Sequence, residues 1–153
     1  MKIKFEKINP KAIIPRRALP RDAGIDFFTY YDITIPSRAT AIISTGLRYQ
    51  LDEENAFLLI KDKSGVAAKK GVHVLAGVVD NEYRGEIKIL LYNHSQQDVQ
   101  FRSGDKIAQG IVLPVYYADI CEGKISTKTT RGEGGFGHTG ENIQDTRSIE
   151  AEI

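Results

Sequence analysis

An all-β sandwich or barrel of the jelly-roll kind follows from three features of this sequence. Short segments rich in β-branched and aromatic residues recur at close spacing, turn formers such as Pro36-Ser37, Gly46 and the polar stretch 52–55 separate them, and no long run carries a helical period. At 153 residues the chain fits one domain, a size that buries roughly 70% of the unfolded surface and needs no covalent staples.

Charge narrows the classes further. Lys and Arg number 21 and Asp and Glu 20, mixed along the chain, so there is no basic field for a nucleic-acid duplex or an anionic membrane, and any phosphate site must be local. The single Cys121 excludes an internal disulfide and a multi-cysteine zinc site. The first seven residues alternate charge and apolarity instead of forming a signal peptide, and apolar runs such as 56–60 fall far short of a membrane span of about 20 residues. A soluble, cytoplasmic protein is expected.

Taken in order, Ile3 and Phe5 alternate with lysines as a half-buried strand, and Pro10, Pro15 and Pro20 mark an irregular segment after it. Asp22-Ala23-Gly24-Ile25-Asp26-Phe27 then turns into a strand. Ile33 and Ile35, 39–44, 46–51 and 56–61 are further β-type segments. One short helix is expected, with Ser64 as N-cap, 66–70 as its body, lysines in the last turn and Gly71 just past the end. Preceded by Lys63, its start offers a hydroxyl, free N–H groups and an ammonium, which suits an anion, although a capped turn that binds nothing is equally compatible with these residues.

Two runs, 72–79 and 87–92, flank Asp80, Asn81 and Glu82 as a β-hairpin with an open loop. Asp80 and Tyr83 there bring an acid and a stacking surface together, whereas Arg84 and Glu86 are expected to form a surface ion pair. Val99 and Phe101 lie on a strand turned by Ser103-Gly104-Asp105, and 106–113 runs back before Pro114. His73 and His94 read as a strand and a loop residue.

Beyond Ile125 the apolar pattern stops. The stretch 131–140 is glycine-rich and reads as a flexible arm; it does not fit a P-loop, since no lysine follows the glycines. Arg131 and Phe136, spaced along it, suit a clamp on a terminal phosphate and a cover for a base. The organisation expected is a β-domain over 1–128, the arm over 129–140 and a tail of unassigned role over 141–153.

Five of these segments, in order over 23–140, resemble the motifs of the trimeric dUTP pyrophosphatases, the dUTPases. The first is Asp22-Ala23-Gly24-Ile25-Asp26-Phe27, and the resemblance implies that Asp26 holds a magnesium ion through water. Lys63-Ser64-Gly65 is similar to the second, with Asp62 in place of proline and Lys63 in place of arginine; lysine keeps the charge but not the two-pronged contact. Gly77-Val78-Val79-Asp80, two residues, then Tyr83-Arg84-Gly85-Glu86 resembles the third. Gly104-Asp105-Lys106-Ile107-Ala108-Gln109 resembles the fourth. The arm resembles the fifth, with His138 where serine is more usual.

The resemblance implies a homotrimer with shared sites that hydrolyses dUTP to dUMP and pyrophosphate with Mg2+. Asp80 is then the general base, and Lys63, Ser64, Gly65, Gly77, Val79, Tyr83, Gln109, Arg131, Gly135 and Phe136 contact the substrate. A slightly opened strand would answer the uracil edge with backbone N–H, C=O and N–H, leaving cytosine with unpaired polar groups, and Tyr83 would exclude a ribose 2′-hydroxyl. Two rivals remain: a dCTP deaminase of the same fold, disfavoured by Tyr83 and the full arm, and a regulatory nucleotide-binding protein on this fold, with the tail as its site for a protein partner. Zinc deamination lacks its His-x-Glu and Cys-x-x-Cys ligands.

Overall fold

In the computed structural model, which describes residues 1–135, the alternating pattern becomes eleven strands and one short helix among the described residues. They run Ile3–Lys7 (β1), Ile25–Phe28 (β2), Ile33–Ile35 (β3), Thr40–Ser44 (β4), Leu47–Leu51 (β5), Ala56–Lys61 (β6), Ser64–Lys70 (α1), Val72–Leu75 (β7), Val78–Val79 (β8), Lys88–Asn93 (β9), Val99–Phe101 (β10) and Lys106–Pro114 (β11). The ladders are antiparallel: β1 with β5, β10 with β3, a four-stranded β2-β11-β6-β8 and a three-stranded β4-β9-β7. The all-β, jelly-roll-like expectation therefore holds, with the one helix where the sequence placed it.

Period-two burial builds the core. On β5, Leu47, Tyr49 and Leu51 are buried while Arg48 and Gln50 are exposed, and β6 buries Ala56, Leu58 and Ile60 in the same way. Phe27, Ile43, Ile89, Leu91, Phe101 and Ile107 are among the other residues of the interior, and each such side chain removed from water stabilises the fold by roughly 1.5–3 kcal/mol. One polar group is embedded there at full satisfaction. Asn93 is 0% exposed; its amide donates to the carbonyls of Ile35, Pro36 and Gln97 at 3.0, 3.1 and 2.8 Å, and its oxygen accepts from Ser95. That set ties the end of β9 to the chain after β3.

The run 72–79 is not the single hairpin strand its residues suggest. β7 pairs with β9, placing Val72 opposite Asn93 and Leu75 opposite Leu90, but Ala76 and Gly77 take positive φ of 62° and 122° and redirect the chain. β8 then leaves that sheet and pairs with β6, Val79 opposite Leu58 and Val78 opposite Leu59. Gly77 is required here by contact as well as by φ, since a Cβ would lie 2.4 Å from the carbonyl oxygen of Ile60.

The chain divides into two compact units, Met1–Tyr117 and Ala118–Ile153. The break follows the end of β11 and its short extension. No helix among the described residues is long and apolar enough to cross a membrane.

Candidate active site

The first cluster forms around Asp26 on β2. Register places Gln109 of β11 opposite Asp26 on one side and opposite Lys61 of β6 on the other, so the three strands bring the first, second and fourth motifs into one row. Asp26 is only 2% exposed, and a buried carboxylate is tolerable only when paired. Lys63 Nζ lies 2.8 Å from its Oδ1 and Lys106 Nζ 2.7 Å from its Oδ2. Burial alone pushes the Asp26 pKa up, but the hydrogen bonds and charges of Lys106 and Lys63 outweigh it and hold the carboxyl below its ordinary range.

Gln109 is held by one hydrogen bond and lies close over Gly24. Its Nε2 donates to the carbonyl oxygen of Asp62 at 2.8 Å, and a Cβ at position 24 would lie 2.0 Å from its Oε1, so a side chain there would displace the amide. Asp62 in turn accepts from the backbone N–H of Val74 at 2.6 Å and lies 2.7 Å from His73 Nδ1. Three hydrogen bonds thus anchor the residue that stands where the resemblance implies proline. The helix begins one residue differently from expectation: Lys63 is the N-cap, with no side-chain cap bond, and Ser64 is the first helical residue. The carbonyl of Lys63 accepts from Val66 and Ala67, both at 2.9 Å, so Ser64 is exposed with its hydroxyl unspent on capping. Gly71 closes the helix at φ 64°, as its residue type requires. Gly65 is open, with no atom near a Cβ built on it.

The second cluster forms on the loop from β8 to β9. The Asp80 turn is closed by backbone, the Tyr83 N–H donating to the Asp80 carbonyl at 3.0 Å. Asp80's carboxylate makes no hydrogen bond or ion pair among the described residues, so it is not a turn cap. Tyr83 is 46% exposed; its hydroxyl donates to the carbonyl of Glu86 at 3.1 Å and its ring covers Gly85, where a Cβ would come within 2.3 Å of it. The expected Arg84–Glu86 ion pair is corrected. Arg84 donates to the carbonyls of Asn81 and Tyr83, while Glu86 accepts from the Gly46 N–H at 2.8 Å and from Ser44 Oγ at 3.4 Å. A backbone donor and a hydroxyl fixed by the folded strands outcompete a solvated guanidinium.

Gly77 and Val79, the remaining residues of the third motif, have their carbonyls engaged within the chain: Gly77 accepts from the Ile60 N–H at 2.8 Å and Val79 from Tyr49 Oη at 2.7 Å. An open cleft of about 1060 Å3 lies at Asp80, lined by Asp52, Glu54, Asp80, Glu82, Tyr83 and Arg84 among others. No side-chain hydrogen bond or ion pair among the described residues joins the Asp26 cluster to Asp80 or Tyr83. Tyr49 of β5, which donates to the carbonyl before Asp80, and Asn81, which follows Asp80 and accepts from the N–H of Leu51 of β5, carry no local sequence signal.

Magnesium was expected to be held by Asp26 through water. Both carboxylate oxygens already accept lysine ammonium groups, and no group of three or more His, Cys, Asp or Glu among the described residues is arranged to hold a metal. These residues do not fit an ion ligated directly by Asp26. In the second unit, Arg131 Nε donates to the Gly134 carbonyl at 2.9 Å across a short turn, and Arg131 and Gly135 are both exposed. Phe136, His138 and the tail lie outside the described residues.

An acid without a hydrogen bond or ion pair among the described residues, near an aromatic ring, and separately a pair of ammonium groups with a hydroxyl and an amide, are the equipment of an all-β nucleotide hydrolase. Comparison with known proteins gives the family. A model described as dUTPase matches residues 10–140. The deoxyuridine 5′-triphosphate nucleotidohydrolase of Wolinella succinogenes is 42% identical over 142 residues, covering 92% of this chain and 95% of the relative, and that of Arabidopsis thaliana is 39% identical over 137 residues, covering 90% and 82%. The Staphylococcus bacteriophage 80alpha dUTPase, solved with dUPNHPP, superposes at a TM-score of 0.84 with 21% identity, over 92% of this chain and 99% of that one. A dUTPase from phage phi11 of S. aureus, whose structure details the coordination of a structural Mg(II) ion, superposes at 0.76 with 20% identity, over 82% and 99%. The chain belongs to the dUTPase family, whose activity is the hydrolysis of dUTP.

Proposed function

We propose that this chain is a dUTP diphosphatase in which Asp80 activates water for attack at the α-phosphorus, releasing dUMP and pyrophosphate. The observation that carries the assignment of Asp80 is its carboxylate, without a hydrogen bond or ion pair among the described residues on a turn that backbone alone closes. A base must keep its lone pairs for the water it deprotonates. Tyr83, nearly half exposed on the same loop, packs against the sugar in this proposal.

Lys63, Ser64 and Gln109 are the groups that offset charge on the triphosphate, with Arg131 from the arm meeting the distal phosphate and Phe136 covering the base. Magnesium stays in the proposal as the counter-ion a triphosphate brings with it, supplying charge neutralisation there. Four carboxylates, Asp52, Glu54, Asp80 and Glu82, line the cleft at Asp80 against Arg84, and would repel a triphosphate lying along them. The ammonium groups sit in the other cluster. This separation supports a homotrimer in which the acid of one copy meets the cations of another. A row of apolar side chains supports the same reading: Ile42, 65% exposed, lies opposite Leu90, which lies opposite Leu75 across the three-stranded sheet.

The test is product analysis with dUTP, dCTP, dTTP and UTP, with and without Mg2+, following pyrophosphate and ammonia in parallel. Pyrophosphate from dUTP alone is expected; ammonia from dCTP moves the chain to deamination, and neither product leaves a binding role. In the same assay Asp80→Asn is expected to lower kcat by about 10²–10⁴-fold while dUTP still binds.

A further inference from the structure

Both neighbours of Asp80 are fastened to one strand. Before it, the carbonyl oxygen of Val79 accepts from Tyr49 Oη at 2.7 Å. After it, Asn81 Oδ1 accepts the Leu51 N–H at 3.0 Å and its Nδ2 donates to the Glu53 carbonyl at 2.9 Å. Tyr49 and Leu51 are buried on the same face of β5, Tyr49 at 2% exposure and Leu51 at 4%, and β5 is paired along its length with β1.

These contacts oppose two liabilities of the loop. Asp80 lies on an exposed turn, and the strand leading into it, β8, is two residues long and follows the left-handed break at Ala76 and Gly77. Little in that local backbone fixes a carboxylate to within the fraction of an ångström that proton abstraction from a bound water needs, and a misplacement of about 1 Å can cost about 10²-fold in rate. Burial pushes the Tyr49 phenol pKa up, with the nearby Asp80 charge adding to it, so the hydroxyl remains a donor through neutral pH. Asn81 supplies an acceptor and a donor at once, a pairing that Asp, Ser or Ala at this position cannot reproduce in the same geometry.

We infer that Tyr49 and Asn81 are positioning residues for catalysis, clamping the peptides on either side of Asp80 to β5 so that its carboxylate, which makes no hydrogen bond or ion pair among the described residues, meets the attacking water. The inference rests on the proposed role of Asp80 as base, and adds two residues that touch neither substrate nor water.

The experiment measures kcat and KM for dUTP, with melting temperature, for Tyr49→Phe, Asn81→Ala, the double variant and Asp80→Asn. Each single clamp variant is expected to lower kcat about tenfold or more with KM changed less than about threefold, since only the placement of the base is lost. The double variant is expected to fall further. Tyr49→Phe keeps the buried ring, so it decides the matter alone should Asn81→Ala fail to fold. If Asp80→Asn is inactive while both clamp variants keep wild-type kcat, or raise KM alone, the positioning role is overturned. Near-normal turnover by Asp80→Asn removes the base assignment instead.

Discussion

A carboxylate shared by two ammonium groups in a buried site is stable only when all three are present, and this gives Asp26 a measurable signature. Its folded pKa lies below the ordinary 3.8, so its contribution to stability is in full force above the unfolded value and is lost as pH falls through the folded one. The melting temperature of wild type is therefore expected to exceed that of Asp26→Asn at pH 6, and the gap to narrow below about pH 4; a gap independent of pH would mean the carboxylate is not ionised in the fold. Asp26, Ser64, Asp80 and Gln109 could be named as candidates because each sits in a short, ordered pattern of neighbours. Their supports were not. Tyr49 reaches Val79 across 30 residues and Glu86 reaches Gly46 across 40, and no window of sequence contains both ends of such a contact. The Arg84–Glu86 expectation failed for the same reason: proximity in sequence stood in for proximity in space.

Elements were legible in proportion to how much their residue types dictate. Alternation located β5 and β6, and Gly71 marked the helix end because an αL residue there favours glycine. The helix start slipped by one, since its N-cap is a lysine that makes no capping bond. The division of 72–79 into β7 and β8 was illegible because Ala76 adopts φ 62°, a conformation its residue type does not announce. Gly77 is the part of that break open to test. Replacing it with alanine adds a Cβ 2.4 Å from the Ile60 oxygen at φ 122°, and Gly77→Ala is expected to cost about 1–3 kcal/mol by thermal or denaturant unfolding. Turnover should fall as well, because the strand leading to Asp80 shifts. Unchanged unfolding would mean β8 tolerates another path.

For the molecule as a whole, the sequence disclosed family and fold class but not how one chain divides its chemistry. Patterns of residues do not say that the cations gather around Asp26 while the acids gather around Asp80; that is a property of strand order, with β11 lying between β2 and β6. The proposed trimer follows from this separation and is tested on the apolar row. Ile42→Glu places a charge at a residue that is 65% exposed in the single chain, where it costs an isolated monomer little. Sedimentation is expected to show loss of the trimer with strand content preserved, and activity should fall with it; an intact trimer would put the interface on another face.

The shortness of β8 bears on how the protein behaves in a crowded solution. It is the last strand of its four-stranded sheet, and an open sheet edge invites strands from other molecules to add on and grow into aggregate. Two residues, bounded by a left-handed break on one side and a tight turn on the other, offer too short a template for such growth. The irregularity that carries the chain into its reactive loop also keeps that edge from seeding fibrils.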